Sequence, residues 1–269
     1  MGDLYAVASA PTLGALSELT FGRTQTLLHG VDAPTPTARF RLGRELIEAA
    51  KSVWIELPVA ATQRDVDELI AATTAGTATV CAGAWLLFAP AVAQLRAALP
   101  KPEQVQHCSV RFAIPQSPML SMTQHRLAMT CQALAVALAI NPQRVATRCD
   151  AKSDGNLTLV FEDGALTSIE VPHEVGAVEL VVQVAAPDFV VRADISVNDR
   201  NELHSTVEQT GERTASLVSP TASPLTHLGL DANITSFVDA ATGRGSAVVP
   251  LGFAGLITKL LAPTGMLDE

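Results

Sequence analysis

The first hundred residues alternate short apolar runs with stretches of helical periodicity, and this alternation limits the fold more than any other feature. We predict strands at 4–8, 26–29, 52–56 and 78–82, and helices at 37–50, 63–74 and 90–99. In the helix at 63–74, Val66, Leu69 and Ile70 share one apolar face. Strands and helices that alternate at this spacing form βαβ units, so we expect a parallel sheet with helices packed on it.

The remaining residues follow a different pattern, in which strands succeed one another. We predict a strand at 105–112 and one long helix at 119–140. The stretch 157–171 has two alternating runs joined at Asp163 and Gly164, a strong two-residue hairpin signal. Further strands are expected at 178–184, 189–195, 202–208 and 213–218, and helices near 228–241 and 250–261. We therefore predict an α/β domain at 1–102 and an α+β domain with a large, mostly antiparallel open sheet at 103–269.

Charge argues against a nucleic-acid partner. The formal net charge is −9, and none of the 18 basic residues lies in a run longer than two. Phosphate backbones are bound by clustered lysines and arginines, which this chain lacks.

The cysteines and the apolar runs indicate the environment of the protein. Cys81, Cys108, Cys131 and Cys149 lie far apart without a CxxC pair, so we expect reduced thiols and no metal site. The apolar run at 133–140 is well short of the roughly 20 residues of a membrane span. We expect a cytoplasmic protein with no membrane partner.

One strand ends in Glu56, Leu57 and Pro58, and a helix rich in acidic and apolar residues follows it. This segment resembles the hallmark of the Gfo/Idh/MocA oxidoreductases, in which a strand ends in Glu-Lys-Pro. Segments at 27–51, 83–99, 155–171 and 230–245 resemble other parts of that family in the same order, so the resemblance covers roughly residues 23–262. It implies a Rossmann domain that binds NAD or NADP, then an α/β domain whose open sheet covers the active site.

The phosphate-binding turn that the resemblance implies is missing. A dinucleotide site needs a strand, then G-x-G-x-x-G, then a helix. The first predicted strand and helix offer only Gly14, and Gly243 and Gly245 follow a helix, which is typical of a helix cap. One βαβ segment, either the first or the second, is also lacking relative to the family. We therefore predict an incomplete Rossmann-like domain.

Proton-transfer groups that the resemblance implies are missing as well. Leu57 stands in the place of the family's lysine. The positions of the family's Asp–His pair correspond to His125 and Met129, or one residue later to Arg126 and Thr130. Neither alignment places an aspartate and a histidine there. Glu56 remains, and we interpret it as a strand-end carboxylate that bonds backbone amides rather than as a catalytic group.

An apolar run replaces the polar residues with which the family often faces a sugar. The run is Trp85, Leu86 and Leu87. The candidate pocket residues are Trp85, Leu87 and Phe88, together with Leu57 and Pro34. The run is explained equally well by core packing and by a hydrophobic pocket or protein interface.

Three functions follow from these patterns. The leading one is a pseudo-oxidoreductase without NAD(P), a structural or regulatory subunit in a homo-oligomer, or in a hetero-oligomer with an active paralogue. The resemblance implies assembly through the C-terminal sheet, whose strands at 178–185 and 188–197 are expected to have an apolar outer face. One alternative is a lyase, isomerase or cyclase that needs no cofactor, with candidate residues Glu56, His125, Arg126 and Cys131. The other is an atypical NAD(P)-dependent oxidoreductase that holds its cofactor through the loop at 32–36.

Overall fold

The structure is a computed structural model that describes residues 3–23, 28–99, 105–152, 156–172, 177–187, 189–197, 203–209, 212–218, 226–245 and 248–267. The predicted domain boundary at 102 and part of the strand predicted at 26–29 lie outside these residues.

The first sheet is parallel, as predicted. Its strands are β1 (Leu4–Ala8), β2 (Leu28–Asp32), β3 (Ser52–Glu56) and β4 (Val80–Gly83). The helices α1 (Ala10–Arg23), α2 (Pro36–Glu48) and α3 (Gln63–Ala75) connect them. After β4 a short 3₁₀ turn (Trp85–Phe88) leads into α4 (Pro90–Ala97).

The strand order identifies the missing segment. The four strands lie in the order β2-β1-β3-β4, all parallel. A complete doubly wound sheet has the order 3-2-1-4-5-6, so these strands correspond to its positions 2, 1, 4 and 5. The first βαβ unit is therefore present. Among the described residues, no strand takes position 3, which the second unit would add, or position 6. The switch point between β1 and β3, where such folds bind ligands, is kept.

Side-chain caps explain where the helices of this half begin. The hydroxyl of Thr35 accepts from the Ala38 amide, and Pro36 follows it at the first helical position of α2. The hydroxyl of Thr62 accepts from the Asp65 amide at the start of α3. Both patterns satisfy amides that have no partner within the helix.

The second sheet is mostly antiparallel, which confirms the predicted fold class. Its order is β12-β11-β10-β9-β5-β8-β7-β6, and among these pairs only β5 and β8 are parallel. The helix α5 (Met122–Ala139) packs on its inner face. The strands are β5 (His107–Ala113), β6 (Ala146–Ala151), β7 (Leu157–Phe161), β8 (Leu166–Glu170), β9 (Glu179–Ala186), β10 (Phe189–Val197), β11 (Leu203–Gln209) and β12 (Glu212–Val218).

The start of α5 and the loop between β7 and β8 differ from the predictions. The helix α5 begins at Met122 rather than at 119, because Ser121 and Gln124 form a capping box. The hairpin between β7 and β8 has a three-residue loop rather than a two-residue one. Phe161 pairs with Ala165, and Gly164 takes a φ of +82° at the end of the loop.

The outer face of the large sheet is more polar than we expected. Leu180, Val182 and Val184 of β9 are fully buried against the core. The residues that point outward on β9 and β10 are mostly polar or charged: Glu179, Val181, Gln183, Val190, Arg192, Asp194 and Ser196. The prediction of an apolar outer face was therefore wrong, since the apolar residues of these strands alternate onto the inner face.

The last two helices, α6 (Asp231–Ala241) and α7 (Leu251–Leu261), return to the first sheet. Asn233 of α6 accepts at Oδ1 from Trp54 Nε1 at 2.8 Å. The helix predicted from 228 begins at 231, because Gly229 has a φ of +104°. A Cβ there would lie 2.4 Å from the Trp85 carbonyl oxygen, so only glycine fits. In the part of the chain that the structure describes, no helix is long and apolar enough to cross a membrane.

Candidate functional site

A cavity of about 270 Å³ lies where β1 and β3 end, at the switch point of the first sheet. Its walls come from both halves of the fold. Ser9 and Glu56 line it from the first sheet, Trp85 from the 3₁₀ turn, and Ile114 and His125 from the β5–α5 region. The cavity therefore occupies the position at which α/β sheets of this type hold their ligands.

Glu56 lies in this wall with its carboxylate bound on both oxygens. It is 4% exposed. Its Oε2 accepts from the Ser9 amide at 2.8 Å and from Arg39 Nη2 at 2.8 Å, and its Oε1 accepts a short hydrogen bond from the Thr12 hydroxyl. The interpretation of Glu56 as a carboxylate that bonds a backbone amide agrees with these contacts, but the ion pair with Arg39 was not foreseen.

Arg39 completes the site from α2, and it is 3% exposed. Its Nε donates to the Ala33 carbonyl at 3.0 Å, and its Nη1 donates to the Leu57 carbonyl at 3.1 Å. A buried ion pair is stable only when its remaining donors and acceptors are satisfied, and this one meets that condition. Sequence reasoning missed Arg39, although a signal existed: it falls in the buried stripe of α2 with Pro36, Gly43 and Ile47.

The loop at 32–36, the alternative cofactor site, is tied to the same pair. The Ala33 amide donates to the Ala8 carbonyl at 2.8 Å, and the Ala33 carbonyl accepts from Arg39. Pro34, half-buried, accepts from Arg39 Nη2 at 3.4 Å through its carbonyl. These backbone groups are engaged within the protein.

The N-terminus of α1 has the position of a phosphate site but a different composition. Helix N-termini attract anions, and dinucleotide folds place the pyrophosphate there. If Gly14 is the last glycine of a G-x-G-x-x-G spacing, the first two glycine positions hold Ser9 and Pro11. Pro11 has no N–H to offer and lines the cavity, while the Ser9 amide donates to Glu56. A carboxylate of the chain thus takes the amide that would face a phosphate.

Gly14 has open space for a side chain, so we expect Gly14→Ala to stabilise the protein by about 0.5–1 kcal/mol. Gly14 is exposed in α1, and a Cβ there would meet nothing within 4 Å. Urea unfolding gives the free-energy change. The matched control is Gly83→Ala, whose Cβ would lie 2.5 Å from the Trp54 ring and should destabilise the protein. A loss of stability in Gly14→Ala would contradict the expectation.

His125 lines the cavity from α5 as a neutral imidazole. It is 9% exposed, and its Nε2 lies 3.1 Å from the Ile114 carbonyl oxygen. Burial lowers the pKa of His125 below its ordinary value of 6.5, while the bond to Ile114 opposes the shift. Since a carbonyl only accepts, Nε2 carries the proton, and Nδ1 is left as an acceptor.

The other two candidate residues do not line the cavity. Cys131 is fully buried, and burial raises the pKa of its thiol, so it stays protonated and is no nucleophile. Arg126 does not line the cavity; its Nε and Nη2 are buried and have no hydrogen-bond partner in the described part of the chain. The structure thus brings Glu56 and His125 to one cavity and leaves Arg126 and Cys131 outside it.

Of the candidate pocket residues, too, only some line the cavity. Trp85 lines the cavity and packs edge-on against Phe112, with ring centroids 5.9 Å apart. Leu87 and Phe88 lie instead in a second groove of about 770 Å³, which α7 also lines. Leu57 is 1% exposed and belongs to the core. Only Trp85 of the apolar run therefore contributes to the cavity.

Gln132 of α5 is a site residue that the sequence did not reveal. Its Nε2 donates to the Gly83 carbonyl at 2.7 Å, and its Oε1 accepts from the Leu86 amide at 3.2 Å. It thereby joins α5 to the end of β4 across the cavity wall. Within the described ranges, no group of three His, Cys, Asp or Glu side chains could hold a metal ion.

No protein-family model and no curated protein matches the sequence. Solved structures of dehydrogenases match its fold. GenD2 from gentamicin A biosynthesis, solved with NAD, has 16% identity and a TM-score of 0.73, and the match covers 100% of this chain and 95% of the GenD2 chain. UDP-N-acetylglucosamine 3-dehydrogenase GnnA from Acidithiobacillus ferrooxidans has 15% identity and a TM-score of 0.69, covering 98% and 96%. A dehydrogenase from Chromobacterium violaceum has 14% identity and a TM-score of 0.68, covering 98% and 94%. The chain therefore has the two-domain fold of Gfo/Idh/MocA-type dehydrogenases.

Proposed function

We propose that the chain is a pseudo-oxidoreductase, which keeps the dehydrogenase scaffold but does not use NAD(P), and that it serves as a structural or regulatory subunit. The observation that carries this proposal is the buried pair of Glu56 and Arg39 at the N-terminus of α1. Its carboxylate holds the Ser9 amide that a pyrophosphate would need.

Electrostatics supports the exclusion of the cofactor. Glu56 neutralises Arg39, whose guanidinium is 3% exposed and also bonds the Ala33 and Leu57 carbonyls. This cation is therefore not available to a pyrophosphate. Expelling Glu56 from this position would leave Arg39, which is 3% exposed, without its counter-ion.

The chemistry of the reaction site supports the same proposal. Leu57, in the place of the family's lysine, has no proton to transfer and is buried outside the cavity. His125 bonds the Ile114 carbonyl at Nε2, and no aspartate of the described residues lines the cavity beside it. Hydride transfer would therefore lack both its cofactor and its usual acid–base groups.

We further propose that the open face of the large sheet is the assembly surface, in a homo-oligomer or with an active paralogue. This face has fixed charges, because Arg111 bridges Glu170 and Glu179, and Arg192 pairs with Asp194. An interface here would depend on polar complementarity, which contributes specificity more than affinity.

The test is a calorimetric titration of the whole chain with NAD⁺, NADH, NADP⁺ and NADPH. We expect no saturable heat, which corresponds to a Kd weaker than about 1 mM. A dehydrogenase of the same fold serves as the positive control. A Kd below about 100 μM for any of the four would overturn the proposal.

The open cavity favours one second candidate, a lyase, isomerase or cyclase that needs no cofactor. The imidazole of His125 lies in the cavity wall with Nδ1 available to accept a proton. Glu56 is a weaker candidate base, because all three of its hydrogen-bond donors belong to the protein. Turnover of an apolar substrate that disappears in His125→Phe would favour this candidate over the subunit role.

A further inference from the structure

The cavity wall consists mainly of hydrocarbon. Apolar side chains contribute most of it, among them Pro11, Trp85, Ile114, Leu120 and Met129. A dry engineered cavity of about 150 Å³ holds benzene. The roughly 270 Å³ here therefore accommodates a substituted single ring.

Most polar groups in the wall are already satisfied by the protein. The carboxylate of Glu56 accepts three hydrogen bonds, and the amide of Gln132 both donates and accepts. The Ser117 hydroxyl accepts from the Met119 amide at 3.2 Å. A polyol would bring several hydroxyls with few partners, which is unfavourable in a buried site. An anion would find no lysine or arginine in the described wall, and Glu56 already occupies Arg39 beside it. The wall therefore favours an uncharged ligand with few polar groups.

His125 offers an acceptor to such a ligand. The Nε2–H of His125 is directed to the Ile114 carbonyl, so Nδ1 of the same ring is available. Burial keeps the imidazole neutral at pH 7 by lowering its pKa. A single hydroxyl on an apolar ring would match this acceptor.

We propose that the cavity binds a small, uncharged ring compound with one hydroxyl, of the phenol class, whose O–H donates to His125 Nδ1. The inference rests on the proposed function, since it requires that no nicotinamide fills this space. It names a ligand class unlike the sugars and nucleotides of the solved relatives: GnnA is a UDP-N-acetylglucosamine dehydrogenase, and GenD2 was solved with NAD.

The experiment titrates the whole chain with p-cresol, toluene and myo-inositol, followed by ligand-observed NMR and calorimetry. We expect p-cresol to bind saturably and about tenfold more tightly than toluene, because it makes one more hydrogen bond. Myo-inositol should not bind. Absence of saturable p-cresol binding, or tighter binding of myo-inositol, overturns the inference.

Two variants and one control locate the ligand. His125→Phe should abolish the preference for p-cresol over toluene. The control His107→Phe, at an exposed position of β5, should leave that preference at about tenfold. Ala128→Leu narrows the cavity and should weaken the binding of p-cresol and of toluene to a similar extent. It shows where the ligand binds even if His125→Phe does not fold. An unchanged preference in His125→Phe, or unchanged affinities in Ala128→Leu, places the ligand elsewhere and overturns the inference.

The same preparation separates the two proposals. Binding of NAD⁺ with a Kd below about 100 μM defeats the proposed function, whatever p-cresol does. Failure of both NAD⁺ and p-cresol to bind leaves the proposed function standing and defeats the ligand inference alone.

Discussion

Replacing Arg39 with methionine is expected to lower the free energy of unfolding by about 3–5 kcal/mol. The variant would leave Glu56 buried at 4% exposure with no cation beside it. It would also remove the donors that now bond the Ala33 and Leu57 carbonyls. Urea unfolding measures the change.

Two further variants show whether the loss comes from the unpaired charge. Arg44→Met removes an exposed arginine of the same helix, and we expect it to leave the unfolding free energy nearly unchanged. The double variant Arg39→Met/Glu56→Leu buries no charge and should be more stable than Arg39→Met alone. An unfolding free energy of Arg39→Met within about 1 kcal/mol of the wild-type value would contradict the role of the buried pair in stabilising the fold.

Local patterns were sufficient to locate the elements of the first sheet. The strands at 4–8 and 52–56 were predicted at their observed bounds, because each is a short apolar run next to a helical stretch. The conformation of Gly229 was not predictable in this way. It depends on contact with the 3₁₀ turn at Trp85, far away along the chain, and nothing in the local sequence encodes that contact. The strand order also had to come from the structure.

The part of the candidate site that could be predicted is the one in which a residue's place in its own strand determines its contacts. Glu56 ends a buried strand, and such a carboxylate meets the amides of the neighbouring loop. Arg39 reaches it from 17 positions away, and an arginine on a helix is usually exposed, so the pair was missed. Trp85 and Phe88 are close neighbours in sequence, yet the 3₁₀ turn directs them to different cavities.

Leu57→Lys restores the residue type that the family resemblance implies, and we expect it to destabilise the protein by about 3–5 kcal/mol at pH 7 without restoring activity. Leu57 is 1% exposed and lies outside the cavity wall, so a lysine there would be buried without a partner. Burial lowers the pKa of such a lysine in the folded state, whereas in the unfolded chain it stays near about 10.4. The unfolded chain then holds more protons, so the stability of the variant should rise with pH up to about 10.

Urea unfolding between pH 6 and about 9.5 measures this slope against the wild type. Leu57→Met, which keeps the volume and adds no charge, should cost less than about 1.5 kcal/mol and follow the pH dependence of the wild type. Oxidation of NADH should be undetectable in both variants. A Leu57→Lys protein as stable as the wild type, with no additional pH dependence, would mean that this side chain reaches solvent.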